Sequence, residues 1–88
     1  MEVEGLVSGS AGPATSIQFV NRTSARLSLS WIDPNGERKQ YGTVLPGAVW
    51  IQQTFVGHAW VLTDAYGKDV SAWMPGKQPG RAILRGAN

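Results

Sequence analysis

The sequence predicts an all-β fold, a small β-sandwich of about seven short, mainly antiparallel strands. Three observations lead there. From Ser16 onward, short runs rich in β-branched and aromatic residues alternate with clusters of Gly, Pro, Asn and Asp. The runs recur at near-regular spacing, as in sandwiches and small barrels. No helical period persists over eleven residues, and no internal repeat is present.

The elements follow in order. Residues 1–15, rich in Gly, Ser and Ala, read as a flexible tail, and 16–88 as the folded domain. Strands are expected near 16–21, 26–32, 38–42, 47–55, 58–64, 69–74 and 81–85. The breaks between them are Asp33-Pro34-Asn35-Gly36, Leu45-Pro46-Gly47, Tyr66-Gly67 and Pro75-Gly76. Each is a turn signal with a backbone cause: Pro fixes φ and Gly permits a positive one. Alternation assigns faces. Leu27, Leu29 and Trp31 share one, with Arg26, Ser28 and Ser30 opposite. Val49, Ile51 and Phe55 read as a core face shared with Gln53, which leaves Trp50 and Thr54 outward. His58, Trp60 and Leu62 lie together, and Trp73 is expected in the core.

At 88 residues the chain makes one domain. So short a chain buries only about 60% of its unfolded surface, so its aromatic residues must supply much of the core. Cysteine is absent, which excludes disulfides and thiolate metal sites and fits a cytoplasmic protein. Net charge is +2; without Glu2 and Glu4 of the tail, eight basic residues face four acidic ones, or +4. The basic residues are scattered rather than clustered, which argues against a nucleic-acid footprint. No apolar stretch reaches the ~20 residues of a membrane span, and the acidic N-terminus does not read as a signal peptide.

Catalytic readings fail on composition. One His and no Cys assemble neither a metal cluster nor a thiol nucleophile. Asp33 and Glu37, the nearest carboxylates in the body, flank a turn, and no phosphate-cradling Gly-rich motif precedes a helix. A non-enzymatic chain without cofactor is the expectation. The informative stretch is Thr54-Phe55-Val56-Gly57-His58-Ala59-Trp60. A tight hairpin over its centre would set Thr54 opposite His58 on one face, with Trp60 two residues on. A hydroxyl, an imidazole and an indole would then form a patch that orients small amphipathic groups. From these residues alone another arrangement stands beside it: His58 caps a turn, Trp60 fills the core and Thr54 is solvated.

A resemblance adds to this. Phe19-Val20-Asn21-Arg22-Thr23-Ser24 looks like the first strand and turn of the von Hippel–Lindau β-domain. Trp31-Ile32-Asp33-Pro34-Asn35-Gly36-Glu37 is similar to its Trp-containing strand and Asp-Gly-Glu turn. Tyr41, Thr43, Pro46-Gly47 and the run from Gly57 to Ala65 continue the match without a gap. Coverage is roughly residues 16–74, and the specificity lies in the ordered combination. In that family the β-domain holds a 4-hydroxyproline of its target. The resemblance implies that the pocket falls on Trp31, Tyr41, Thr54, His58 and Trp60, with Thr54 standing where the family has Ser. Gln53 takes the place of a His that touches the target backbone. Asn21 matches an Asn that is structural in the family and also opens an Asn-Arg-Thr sequon. The family's helical domain, which docks a ubiquitin-ligase adaptor, has no counterpart here, so that partner is not expected.

The chemistry fits the ligand independently. Hydroxyproline is a rigid ring with an apolar face and one hydroxyl. Trp60, Trp31 and Tyr41 would wall the ring, while Thr54 and His58 would hydrogen-bond the hydroxyl. The target is expected to lie extended along a sheet edge. Two alternatives remain open: a structural or protein-interaction sandwich without hydroxyproline recognition, and a weak sugar-binding module.

Overall fold

A computed structural model describes residues 12–85. Seven strands form two sheets: β1 (Ala14–Arg22), β2 (Leu27–Ile32), β3 (Arg38–Val44), β4 (Val49–Phe55), β5 (Ala59–Thr63), β6 (Asp69–Trp73) and β7 (Gly80–Arg85). The three-stranded sheet has the order β4-β1-β7 and the four-stranded one β3-β2-β5-β6. β1 and β7 run parallel, and the other pairings are antiparallel. This is the all-β sandwich that the alternation predicts. The strand read at 16–21 extends to Ala14–Arg22. The rest of the segment expected to be a tail, residues 1–11, lies outside the described residues.

The two hairpins of the larger sheet use the same loop chemistry. The Asp33 carbonyl accepts Gly36 N–H at 2.9 Å, and its Oδ1 accepts the N–H groups of Asn35 and Glu37, each at 2.9 Å. Asp64 repeats this with Gly67, Tyr66 and Lys68 at 3.1, 2.9 and 3.0 Å. A short carboxylate satisfies two loop N–H groups while Gly36 and Gly67 take φ of 86° and 80°, which a β-carbon disfavours.

Between the sheets, Ile17 and Phe19 of β1 meet Leu27 and Leu29 of β2, Val44 of β3, Trp60 and Leu62 of β5 and Ala82 of β7. Each large side chain so buried contributes about 1.5–3 kcal/mol. Trp31, Trp50, Trp73 and Leu84 pack around this cluster. Asn21, fully buried, ties one end of the sandwich. Its Nδ2 donates to Ala25 O at 2.8 Å and Val44 O at 2.9 Å, and its Oδ1 accepts Thr23 N–H at 3.0 Å and Thr23 Oγ1–H at 2.6 Å. With its amide so engaged, Asn21 is no glycan acceptor in the folded chain, although the sequon is present.

The expected faces of β4 are inverted. Val49, Ile51 and Phe55 are exposed, Trp50 packs on the core and Thr54 is buried. Both faces of this strand carry apolar residues, so alternation alone could not choose between them. Two contacts decide. Trp50 lies over Gly42 of β3, where an added methyl would come within 2.9 Å of Cζ3 and 3.0 Å of Cζ2. The Thr54 hydroxyl accepts an internal hydrogen bond, which removes most of the cost of burying it.

Candidate functional site

The site forms where β2, β3, β4 and β5 converge at one end of the sandwich. Trp31 and Trp60 are register partners on β2 and β5 and point inward. Tyr41 is the extra residue of a β-bulge: Leu29 pairs with Gly42 and Ser30 with Gln40, so Tyr41 has no partner on β2. Bulges re-aim side chains, and the Tyr41 ring stands edge-on to Trp60 with centroids 5.0 Å apart at 75°.

Thr54 and His58 arrive from either side of a tight turn. His58 N–H donates to Phe55 O at 3.1 Å, and Gly57 takes a φ of 91°. The expected hairpin pairing does not form, however. β4 pairs with β1, and β5 with β2 and β6, so the chain crosses from one sheet to the other at Val56-Gly57. Thr54 and His58 therefore face a common space from two sheets instead of lying opposite each other in one ladder.

That space is a cavity of about 150 Å³ lined by Trp31, Tyr41, Gln52, Gln53, Thr54, Phe55, His58 and Trp60. All six residues that the sequence singled out, Trp31, Tyr41, Gln53, Thr54, His58 and Trp60, meet around it. Gln52 and Phe55 were not foreseen. Phe55 was assigned to the core, and the inverted faces of β4 bring it to the rim, while Gln52 shares the face of Thr54. No Asp, Glu, Lys or Arg lines the cavity. The His58 ring rests between Trp31 and Phe55, with centroids 5.4 Å from each.

Trp60 Nε1–H donates to Thr54 Oγ1 at 2.9 Å. Trp60 is 2% exposed and Thr54 4%, so the bond is shielded from water. Trp60 is thus core and cavity wall at once, and Thr54 is not solvated. The bond uses one lone pair of the hydroxyl and leaves its proton and a second lone pair. Trp31 Nε1 is buried with no hydrogen-bond partner among the described residues. A ring recess bearing a hydroxyl and an imidazole can hold a small, mostly apolar group that carries one hydrogen-bonding atom.

A larger concavity of about 510 Å³ lies at the opposite end, between Thr23, Leu27, Asp64, Ser71 and Arg85. It has no aromatic wall and no imidazole, so size is its only claim to be a site. Among the described residues no group of three or more His, Cys, Asp or Glu is placed to hold a metal ion. No helix there is long and apolar enough to cross a membrane.

An all-β sandwich with an uncharged, aromatic-walled recess between its sheets belongs to the class of interaction modules. The chain is a member of the VHL beta domain family, whose model matches residues 6–72. This is a family of non-catalytic protein-binding domains, and every residue lining the recess falls within the matched segment. Among curated proteins none matches the chain.

Proposed function

We propose that the chain recognises 4-hydroxyproline in an extended segment of a partner protein. The observation that carries this reading is the meeting of Thr54, His58, Trp31, Tyr41 and Trp60 around one cavity of about 150 Å³. An apolar protein cavity of ~150 Å³ accommodates benzene, and a pyrrolidine ring is smaller. The ring would pack on Trp60 and Trp31 under Tyr41. Its hydroxyl would exchange hydrogen bonds with Thr54 Oγ1 and the His58 imidazole. Gln53, at the rim, would contact the backbone of the target. Absence of cysteine suits a reducing compartment, and we place the module in the cytoplasm on that ground.

Discrimination follows from the same groups. Plain proline leaves the Thr54 hydroxyl proton and the His58 imidazole without a ligand partner in the recess. Each such loss costs about 1–3 kcal/mol, so the hydroxylated ligand is favoured by roughly a hundredfold to ten-thousandfold. The test is titration calorimetry with a proline peptide and its 4-hydroxylated twin. The reading expects heat from the twin and at least a hundredfold weaker binding of the plain peptide. Equal affinities for the two would reject it and leave a sandwich that binds proteins through another surface.

A further inference from the structure

The recess opens on one side of the sandwich. Trp50 of β4 lies over Gly42 of β3, so these two edge strands border the same seam, and residues of both line the recess. The phase of β4 follows from its ladder with β1. Asn21 N–H donates to Ala48 O and Val56 N–H to Pro13 O. Antiparallel bonds alternate, so Trp50, Gln52 and Thr54 turn their N–H and C=O groups to β1. Val49, Ile51, Gln53 and Phe55 turn theirs to the open side. The Gln53 carbonyl accepts Gln52 Nε2–H at 2.9 Å and keeps a second lone pair.

This phase orients a hydroxyproline segment. The ring enters beside the Thr54 hydroxyl, which puts hydroxyproline level with Thr54. In a parallel strand the residue level with Thr54 must give its N–H to Gln53 O. Hydroxyproline, like proline, has no N–H to give. In an antiparallel strand that N–H position points away from β4, so no bond is lost. The segment therefore runs antiparallel to β4. Its next residue comes level with Gln53, its third with Ile51 and its fifth with Val49, and these side chains share the outer face of the sheet.

That face is apolar beside the segment. Ile51 is 63% exposed and Val49 51%, and Val20 of β1 is the register partner of Val49. β4 carries no charge, whereas β3, β6 and β7 each do. The cation in the row of Ile51 is Arg81, two strands away across Gln18. Neighbouring strands lie about 4.8 Å apart, so the backbone of an added strand is about 14 Å from that of Arg81. This exceeds the ~8 Å over which physiological salt screens exposed charges.

Extending the hydroxyproline reading, on which this rests, we infer that the partner segment carries apolar rather than charged side chains at the third and fifth positions after hydroxyproline, and that Ile51 and Val49 select them. Each position makes one cross-strand pair on an exposed sheet face, so each changes affinity by about two- to fivefold.

Titration calorimetry on the full chain tests this with three hydroxylated peptides. They bear Ile and Val, two Asp, or two Lys at those positions, and each is run beside its plain-proline twin. The Ile-Val peptide is expected to bind about tenfold more tightly than either charged one. Ile51→Lys, an exposed change with folding checked by circular dichroism, should erase its lead over the Asp peptide. Ile83→Lys, on β7 of the same sheet face, should not. Equal affinities of the three hydroxylated peptides, or a wild type that binds the Asp peptide best, overturn the inference while the preference over plain twins stands. An Ile51→Lys chain that ranks the peptides as the wild type does overturns it as well. Hydroxylated peptides no tighter than their twins overturn the hydroxyproline reading itself, and this inference with it.

Discussion

Replacing Thr54 by Val removes one oxygen at nearly constant shape. In the native chain that oxygen accepts Trp60 Nε1–H at 2.9 Å, and both residues are almost wholly buried. In the variant the indole N–H has lost its partner and has little access to water. An unsatisfied buried donor costs about 1–3 kcal/mol. The methyl that replaces the hydroxyl recovers up to about 0.8 kcal/mol of transfer free energy. The net expectation is a loss of about 1–2 kcal/mol, large beside the roughly 4–13 kcal/mol a domain of this length commands. At about 4–8 °C per kcal/mol for a domain of this size, the midpoint should fall by about 5–15 °C. Thermal unfolding followed by circular dichroism measures this. Thr54→Ser keeps the acceptor and should lose less than half as much. A Thr54→Val chain as stable as the wild type would refute the reasoning, because the hydrogen bond would then contribute nothing net.

Further predictions concern the scaffold and the cavity. Gly42→Ala should cost about 1–3 kcal/mol by overpacking, since the new methyl meets the Trp50 ring; a shifted urea midpoint and altered Trp fluorescence would register it. Asn21→Ala leaves the carbonyls of Val44 and Ala25 short of a donor and should lower stability by about 2–4 kcal/mol, read by chemical unfolding. His58→Ala should leave folding intact, because its ring packs at the cavity rim between Trp31 and Phe55, and should weaken the preference for hydroxylated over plain peptide in calorimetry. Arg38 and Asp69 join the two edge strands of the larger sheet through bonds of 2.6 and 2.7 Å. The hydrogen bond from Arg38 holds the Asp69 carboxyl below its ordinary range. A carboxyl depressed on folding stabilises above its unfolded pKa of about 3.9 and loses that contribution as pH falls through the folded value. The pair is partly exposed, so Asp69→Asn should cost less than about 1 kcal/mol at pH 7, and the difference should vanish in acid.

How much of this was legible in the sequence depended on what each strand buries. β2 alternates Leu27, Leu29 and Trp31 against Ser28 and Ser30, so its core face could be read directly. β4 could not be read that way. Its exposed residues are as apolar as its buried ones, and the polar Thr54 points inward because Trp60 supplies a partner. The turn at Val56-Gly57 was visible in the glycine, but whether it folded a hairpin or crossed between sheets was not. That depends on β4 finding β1, more than twenty-five residues away for every pair in the register. The spacing from Trp31 through Tyr41 to His58 located the cavity residues, while the bulge that turns Tyr41 toward Trp60 left no mark in composition.

The most direct measurement of the central claim follows the four tryptophan indole N–H resonances by two-dimensional NMR while hydroxylated peptide is added. The signals of Trp60 and Trp31, which line the recess, should move and saturate together, with Trp73, which does not line it, unchanged. Plain peptide at the same concentrations should move none of them. Movement of Trp73 alone, or equal shifts with both peptides, would contradict a hydroxyproline site built on Trp60, Thr54 and His58.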